Sequence, residues 1–175
     1  MKAIYDKNTL EFTTVALEYL AWLEDTGAYD LSRFVRHGVK LLPLLYLKAT
    51  LLPETDIEDD DELDLPACIT EVTYHVISSR IADIMGEYDD YLETFHPDLQ
   101  YSDIPIVTHV SENLADIYQA LGDFVAVFRD SDEQTMLLAL QLCINNFRQY
   151  WGQTCLNALR ALHAVCYRED FDDEY

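Results

Sequence analysis

The side chains with the greatest chemical reach in this chain are carboxylates and imidazoles set at helical spacing. His109, Glu112 and Asp116 recur three and four residues apart, and Glu71 and His75 are four apart. Two such helices could assemble a metal site inside a bundle, as paired Glu-x-x-His segments do. The helical wheel opposes it. At about 100° per residue, His109, Glu112, Asp116 and Asp123 all fall opposite the apolar stripe of their helix. Glu71 and His75 likewise fall off the apolar arc of theirs. A bundle-core site needs ligands that point inward, so no metal or other cofactor is expected.

A second acidic group, Asp56-Ile57-Glu58-Asp59-Asp60-Asp61-Glu62-Leu63-Asp64, has the clustered carboxylates that calcium wants. Aligned as an EF-hand from Asp56, it has Asp61 where glycine makes the turn and Ala67 where a bidentate glutamate closes the shell. A solvated acidic linker explains it better.

Basic and polar residues inside the apolar patterns are the remaining candidates. Arg80 falls within the apolar arc of its helix between Val76 and Ile84, beside Asp83 and Glu87, and a buried arginine must be paired. On the last helix Asn145, Gln149, Gly152, Arg160 and His163 form a polar seam that serves either internal hydrogen bonding or a pocket. A pocket there would be lined by Arg160, His163 and Trp151, with Arg80 and Asp83. Arg33, Arg36 and Lys40, with His37, share one helical face and could hold a phosphate or carboxylate through guanidinium contacts. They could equally balance the chain's own acidic segments. There is no Gly-x-Ser-x-Gly, no phosphate-cradling glycine loop and no cysteine with an adjacent activating histidine, so nothing points to nucleophilic catalysis.

These residues must be positioned by helices. Asn8 and Glu11 predict a capping-box start for a first helix of residues 8–26, turning Leu10, Val15, Leu17, Leu20 and Leu23 inward. A second helix begins near Asp30 or Ser32 and ends near Leu51, with a kink at Leu42 or a division into two enforced by Pro43. A third spans 67–85 and stops at Gly86, and a short helical turn is expected over 88–95. A fourth, 108–129, carries Val110, Leu114, Ile117, Leu121, Phe124 and Phe128 on one stripe, the strongest amphipathic pattern in the chain. Ser131 and Gln134 predict the start of a last helix, 132–167, whose apolar phase runs unbroken through Gly152. Glycine there costs about 1 kcal/mol relative to alanine, so close approach of a neighbouring backbone is expected.

Composition bounds the rest. With 175 residues, half of them apolar, the chain fits one helical domain, 1–175, including an acidic connection at 53–66 and an acidic tail at 169–175. A net charge of −22 opposes nucleic acid and anionic lipid and favours a cationic partner. No apolar segment reaches the length of a membrane span or a signal core, and the four cysteines lack any Cys-x-x-Cys pairing. A cytoplasmic protein with cysteines packed as small apolar residues is expected.

Three blocks, Leu41–Ala49, Glu112–Gln119 and Tyr150–Gln153 leading to Ala158–His163, resemble the bacterial family called domain of unknown function 5063. The resemblance covers nearly the whole chain. It implies a helical domain in a bacterial cytoplasm and supplies no reaction.

The expectation is an all-α irregular bundle of five to six helices packed around the long C-terminal one. Its expected function is a non-enzymatic protein-interaction module that offers an acidic surface to a basic partner. The alternative is a small-molecule-binding or enzymatic domain with its pocket near Arg160 and His163. A third reading, mimicry of DNA, accounts for the charge and not for the residues inside the helices.

Overall fold

The computed structural model describes residues 3–57, 65–93, 98, 101, 104–169 and 171. Residues 58–64 of the acidic connection, and 170 and 172–175 of the tail, lie outside these residues. Six α-helices make up the described fold: α1 Lys7–Glu24, α2 Leu31–Thr50, α3 Glu71–Met85, α4 Val110–Asp130, α5 Glu133–Asn146 and α6 Gly152–Cys166. Two short strands, β1 Asp90–Leu92 and β2 Val107–His109, pair antiparallel between α3 and α4. The all-α reading holds.

The helix starts are fixed by side-chain caps. Asp6, Asp30, Thr70 and Asp132 each accept a backbone N–H from the first turn that follows. Two of these caps differ from the expectation. Asp6 replaces Asn8, which already lies inside α1, and Asp132 replaces Ser131, which lies one residue before the cap position. One Asp132 oxygen accepts both Gln134 and Thr135 amides, while the other takes the Thr135 hydroxyl.

The hub is α4 rather than the C-terminal helix. It packs against α1, α3, α5 and α6, and every residue of its predicted stripe is buried. Tyr19 ties α1 to it by donating to the Leu114 carbonyl at 2.8 Å. On α1 itself the buried stripe is Phe12, Ala16, Tyr19 and Leu23. Leu10 and Leu17 stand about half exposed instead of facing inward, because the larger aromatic payload of Phe12, Tyr19 and Trp22 sets the helix rotation.

Helix α2 is one element with Pro43 inside it. The proline lies on the exposed side, where the Val39 carbonyl that loses its helical donor can reach water. Gly38 brings α2 onto its neighbours: a Cβ there would sit 2.8 Å from Leu162 of α6 and 2.9 Å from Trp22 of α1.

The helical turn expected over 88–95 is not found at 90–92, which form β1, and its last two residues lie outside the described ones. Val107 and Thr108 are β-branched and extended, and they pair with Leu92 and Tyr91. The pairing brings Asp89 to the start of α4. One Asp89 oxygen accepts the Ser111 amide and the other the Ser111 hydroxyl, each at 2.7 Å. Asp89 therefore caps α4 from a distance of 22 residues.

Helices α5 and α6 are joined by a π-helical turn, Phe147–Trp151, so the chain stays helical through Gly152 as its apolar phase predicts. The reason for the glycine is local. The Gly152 N–H bonds back five residues to the Phe147 carbonyl. A Cβ on Gly152 would lie 2.5 Å from that oxygen and 2.9 Å from the Phe147 ring. The close neighbour is the π turn itself, not another helix.

Gly152→Ala is therefore expected to destabilise the protein by about 1–3 kcal/mol, the usual range for overpacking. In a regular helix interior the same change would stabilise by about 1 kcal/mol. The urea midpoint of the variant decides between the two, and an upward shift would show the π turn does not need the glycine.

Candidate functional site

Because α4 is surrounded, its polar stripe meets other elements instead of solvent. Asp123 accepts the backbone N–H groups of Cys68 and Ile69 at 2.6 and 2.7 Å, pinning the chain that leads into α3. Asp116 accepts the Tyr74 hydroxyl from α3 at 2.8 Å and the Tyr150 hydroxyl from the π turn at 2.7 Å. Glu112, one turn earlier, stands exposed at the mouth of a cleft.

That cleft encloses about 480 Å³ between β1, β2, α4, the π turn and α6. Four carboxylates line it, from Glu93, Asp98, Glu112 and Asp116. Glu93, directly after β1, is 8% exposed. Its Oε2 accepts the Tyr91 hydroxyl at 3.1 Å and the Asn157 amide at 2.9 Å. Asn113 donates to the Tyr91 hydroxyl, and Gln153 donates to the Asn157 side-chain oxygen at 2.9 Å. Gln149 and Thr154 complete the wall on the C-terminal side. Among the described residues, no lysine, arginine or histidine lines the cleft. Its chemistry is that of acceptors held in place by neutral donors.

The phenols in and around this network hold their protons firmly. Burial raises Tyr74 and Tyr150 above the ordinary tyrosine value, and the hydrogen bond to Asp116 adds to both shifts. Tyr91 is pushed up to about 12, first by burial and then by the charge of Glu93. Tyr118 reaches about 12 through burial and its 2.9 Å bond to Glu24.

The residues singled out from sequence are distributed differently. Arg160 and His163 do come together, exposed, along a shallow groove between α2 and α6. Trp151 does not join them: it is fully buried against Phe12 and Phe147. Arg80 and Asp83 are exposed on α3 and line no part of that groove. The buried face of α3 is Ile77, Ile81 and Met85, and Arg80 contacts the Glu24 carbonyl at 3.5 Å instead of a buried partner. Arg33, Arg36 and Lys40 lie exposed on α2. Three cysteines are buried as expected, whereas Cys68 is exposed. Burial pushes the Cys155 thiol up to about 12.

Asp89, Asp90 and His109 place potential metal-ligating atoms within 4.8 Å of one another. Their existing bonds explain them. Both Asp89 oxygens serve Ser111, and Asp90 lies 2.8 Å from His109 Nδ1. The group also sits at the positive end of α4, which opposes a cation. Another concavity, of about 820 Å³, lies between the N-terminal turn, residues 53–56 and the start of α5. Its Asp6 and Asp132 carboxylates are occupied by helix capping.

Two of the sequence blocks that carry the family resemblance, Glu112–Gln119 and Tyr150–Gln153, face each other across the acidic cleft. The model of a family described as Domain of unknown function (DUF5063) matches residues 3–168, and the chain belongs to that family. It is also similar to protein BF1032 from Bacteroides fragilis, known from a crystal structure. The two are 42% identical with a TM-score of 0.82, over 95% of this chain and 96% of that one. No curated protein matches the chain. None of the described helices is long and apolar enough to cross a membrane.

The raised phenols give a pH dependence with a definite sign. A proton held more tightly in the folded state stabilises fully below about pH 10, the free tyrosine value. That contribution is lost as pH rises through the folded value, about 12 for Tyr91 and Tyr118. The urea midpoint is expected to fall above about pH 10. The fall should be shallower in Tyr74→Phe, which at neutral pH costs about 1 kcal/mol for the lost hydrogen bond. Equal slopes in the two proteins would contradict the assignment.

Proposed function

We propose that this domain is a non-enzymatic interaction module that takes a cationic side chain, arginine or lysine, of a protein partner into the acidic cleft. The observation that carries the reading is the composition of the cleft wall: among the described residues, four carboxylates and several amides, with no basic residue. Carboxylates oriented by tyrosine and asparagine donors form fixed acceptors, which suits a planar guanidinium that binds through paired N–H groups. A volume of about 480 Å³ suits one long side chain and its flanking backbone. The net charge of −22 adds attraction for a basic surface at longer range. On this reading the protein works in the bacterial cytoplasm, with the buried thiols of Cys143, Cys155 and Cys166 as core packing.

A nuclear magnetic resonance titration with N-acetyl-arginine methylamide tests the idea. Amide shifts should concentrate at Glu93, Asn113, Asp116, Tyr150 and Asn157, with a dissociation constant on the order of 1 mM for a single side chain. Glu112→Gln is expected to weaken binding about fivefold by removing one charge. The glutamate analogue should leave the spectrum unchanged. Shifts scattered over the surface, or identical titrations for the two compounds, would overturn the reading.

A further inference from the structure

The acidic residues of this chain are unevenly placed. It holds 33 aspartates and glutamates, yet none occurs between Asp30 and Glu54 or between Glu133 and Glu169. Helices α2 and α6 come from these two stretches, and they pack side by side. The fold thereby sets side by side two helices that carry no carboxylate of their own, a strip on an otherwise strongly anionic molecule. Arg36 and Lys40 lie on the exposed side of α2, near Val39 and Pro43 in the helical repeat. Arg160 and His163 lie on the facing side of α6. Between the helices runs an open groove of about 360 Å³ whose floor includes Val39, Leu156 and Leu159. Tyr167 stands at one end of it, 68% exposed, with its ring 4.6 Å from that of His163.

Four residues beyond Tyr167 an aromatic residue is already seated against this face. Phe171 is 9% exposed, and the Arg36 guanidinium lies 5.8 Å from its ring centre. Phe171 belongs to the sequence Glu-Asp-Phe-Asp-Asp-Glu-Tyr, in which five of seven residues are acidic. An aromatic ring beneath a guanidinium, with carboxylates on both sides, is the chemistry the rest of the face matches: apolar floor, cationic rim.

We infer that the α2–α6 groove is a docking site for a short acidic segment with an aromatic anchor, presented by a protein partner. The Phe171 segment of the same chain competes for one end of that site. The guanidinium of Arg36 stacks on the anchor ring. The carboxylates flanking the anchor meet Lys40 and Arg160, and aliphatic side chains of the segment cover Leu156 and Leu159. A short segment stays over the α2–α6 strip. A nucleic acid or lipid surface is too broad to do so, and it would meet the acidic remainder of the molecule within the screening length of about 8 Å. This site is separate from the acidic cleft of α4, and it stands or falls independently.

Fluorescence anisotropy with labelled peptide Glu-Asp-Phe-Asp-Asp-Glu-Tyr and the full-length protein tests the inference. Phe171→Ser should bind the peptide about tenfold tighter than the unaltered chain, because the internal competitor at high effective concentration is removed. Adding Arg36→Glu and Arg160→Glu to that variant should reduce binding at least about tenfold, and a peptide with serine in place of phenylalanine should not bind. If Phe171→Ser fails to fold, judged by its circular dichroism melt, Arg36→Glu alone in the full chain must still weaken binding. Affinity indifferent to these charges, or equal binding of the serine peptide, overturns the inference. A dimer in sedimentation that dissociates in Phe171→Ser would also overturn it, by making a second copy of the chain the occupant.

Discussion

The burial of α4 is the constraint on which the rest of this structure depends. A helix enclosed by four others cannot leave its polar side to water, and buried polar groups must find hydrogen-bond partners. Four surrounding segments supply them. The pairing of β1 with β2 brings Asp89, the residue before β1, to cap its first turn through Ser111. Helix α3 and the π turn bring tyrosines to Asp116, and the segment before α3 brings two backbone amides to Asp123. These contacts fix the rotation of α4 as firmly as its apolar stripe does. They also place its carboxylates at the edge of a cleft instead of in the core or in open solvent.

The π turn makes the other wall of that cleft. A π turn takes one residue more than an α turn, and such insertions recur at functional sites. In this protein it rotates Gln149 and Tyr150 outward while Phe147 and Trp151 remain packed against Phe12, Tyr46 and each other. Gly152 permits the geometry because its N–H must reach the Phe147 carbonyl without a Cβ in the way. The cost of glycine in a helix is thus tied to the shape of the cleft wall.

Charge divides the surface in two. The acidic cleft belongs to α4 and its neighbours, while α2 and α6 contribute no carboxylate of their own. Opposite potentials on one small domain select partners by repulsion as well as attraction. On the two readings proposed above, a basic surface is drawn to one side and an acidic segment to the other. Such a layout suits a protein that holds two partners, or one partner in two places, more than it suits an enclosed reaction chamber.

The sequence by itself determined the helices and most of the core. The stripe Val110, Leu114, Ile117, Leu121, Phe124 and Phe128 is buried throughout, α2 absorbs Pro43, and the chain stays helical through Gly152, because these depend on local periodicity. A trace of the π turn was legible as well. Phe147, Trp151, Cys155 and Leu159 follow one another in steps of four, and each such step overshoots an ideal helix by about 40°. An inserted residue absorbs the excess. The tertiary structure alone decided which polar residues meet. Arg80 lies in solvent because Ile77, Ile81 and Met85 won the buried face of α3. Trp151 went to the core, away from Arg160 and His163. The cleft could not be read from any helical wheel, since Glu93, Asn113, Asp116, Tyr150 and Asn157 come from four different elements. A wheel tells which side of a helix is polar; only packing tells what that side faces.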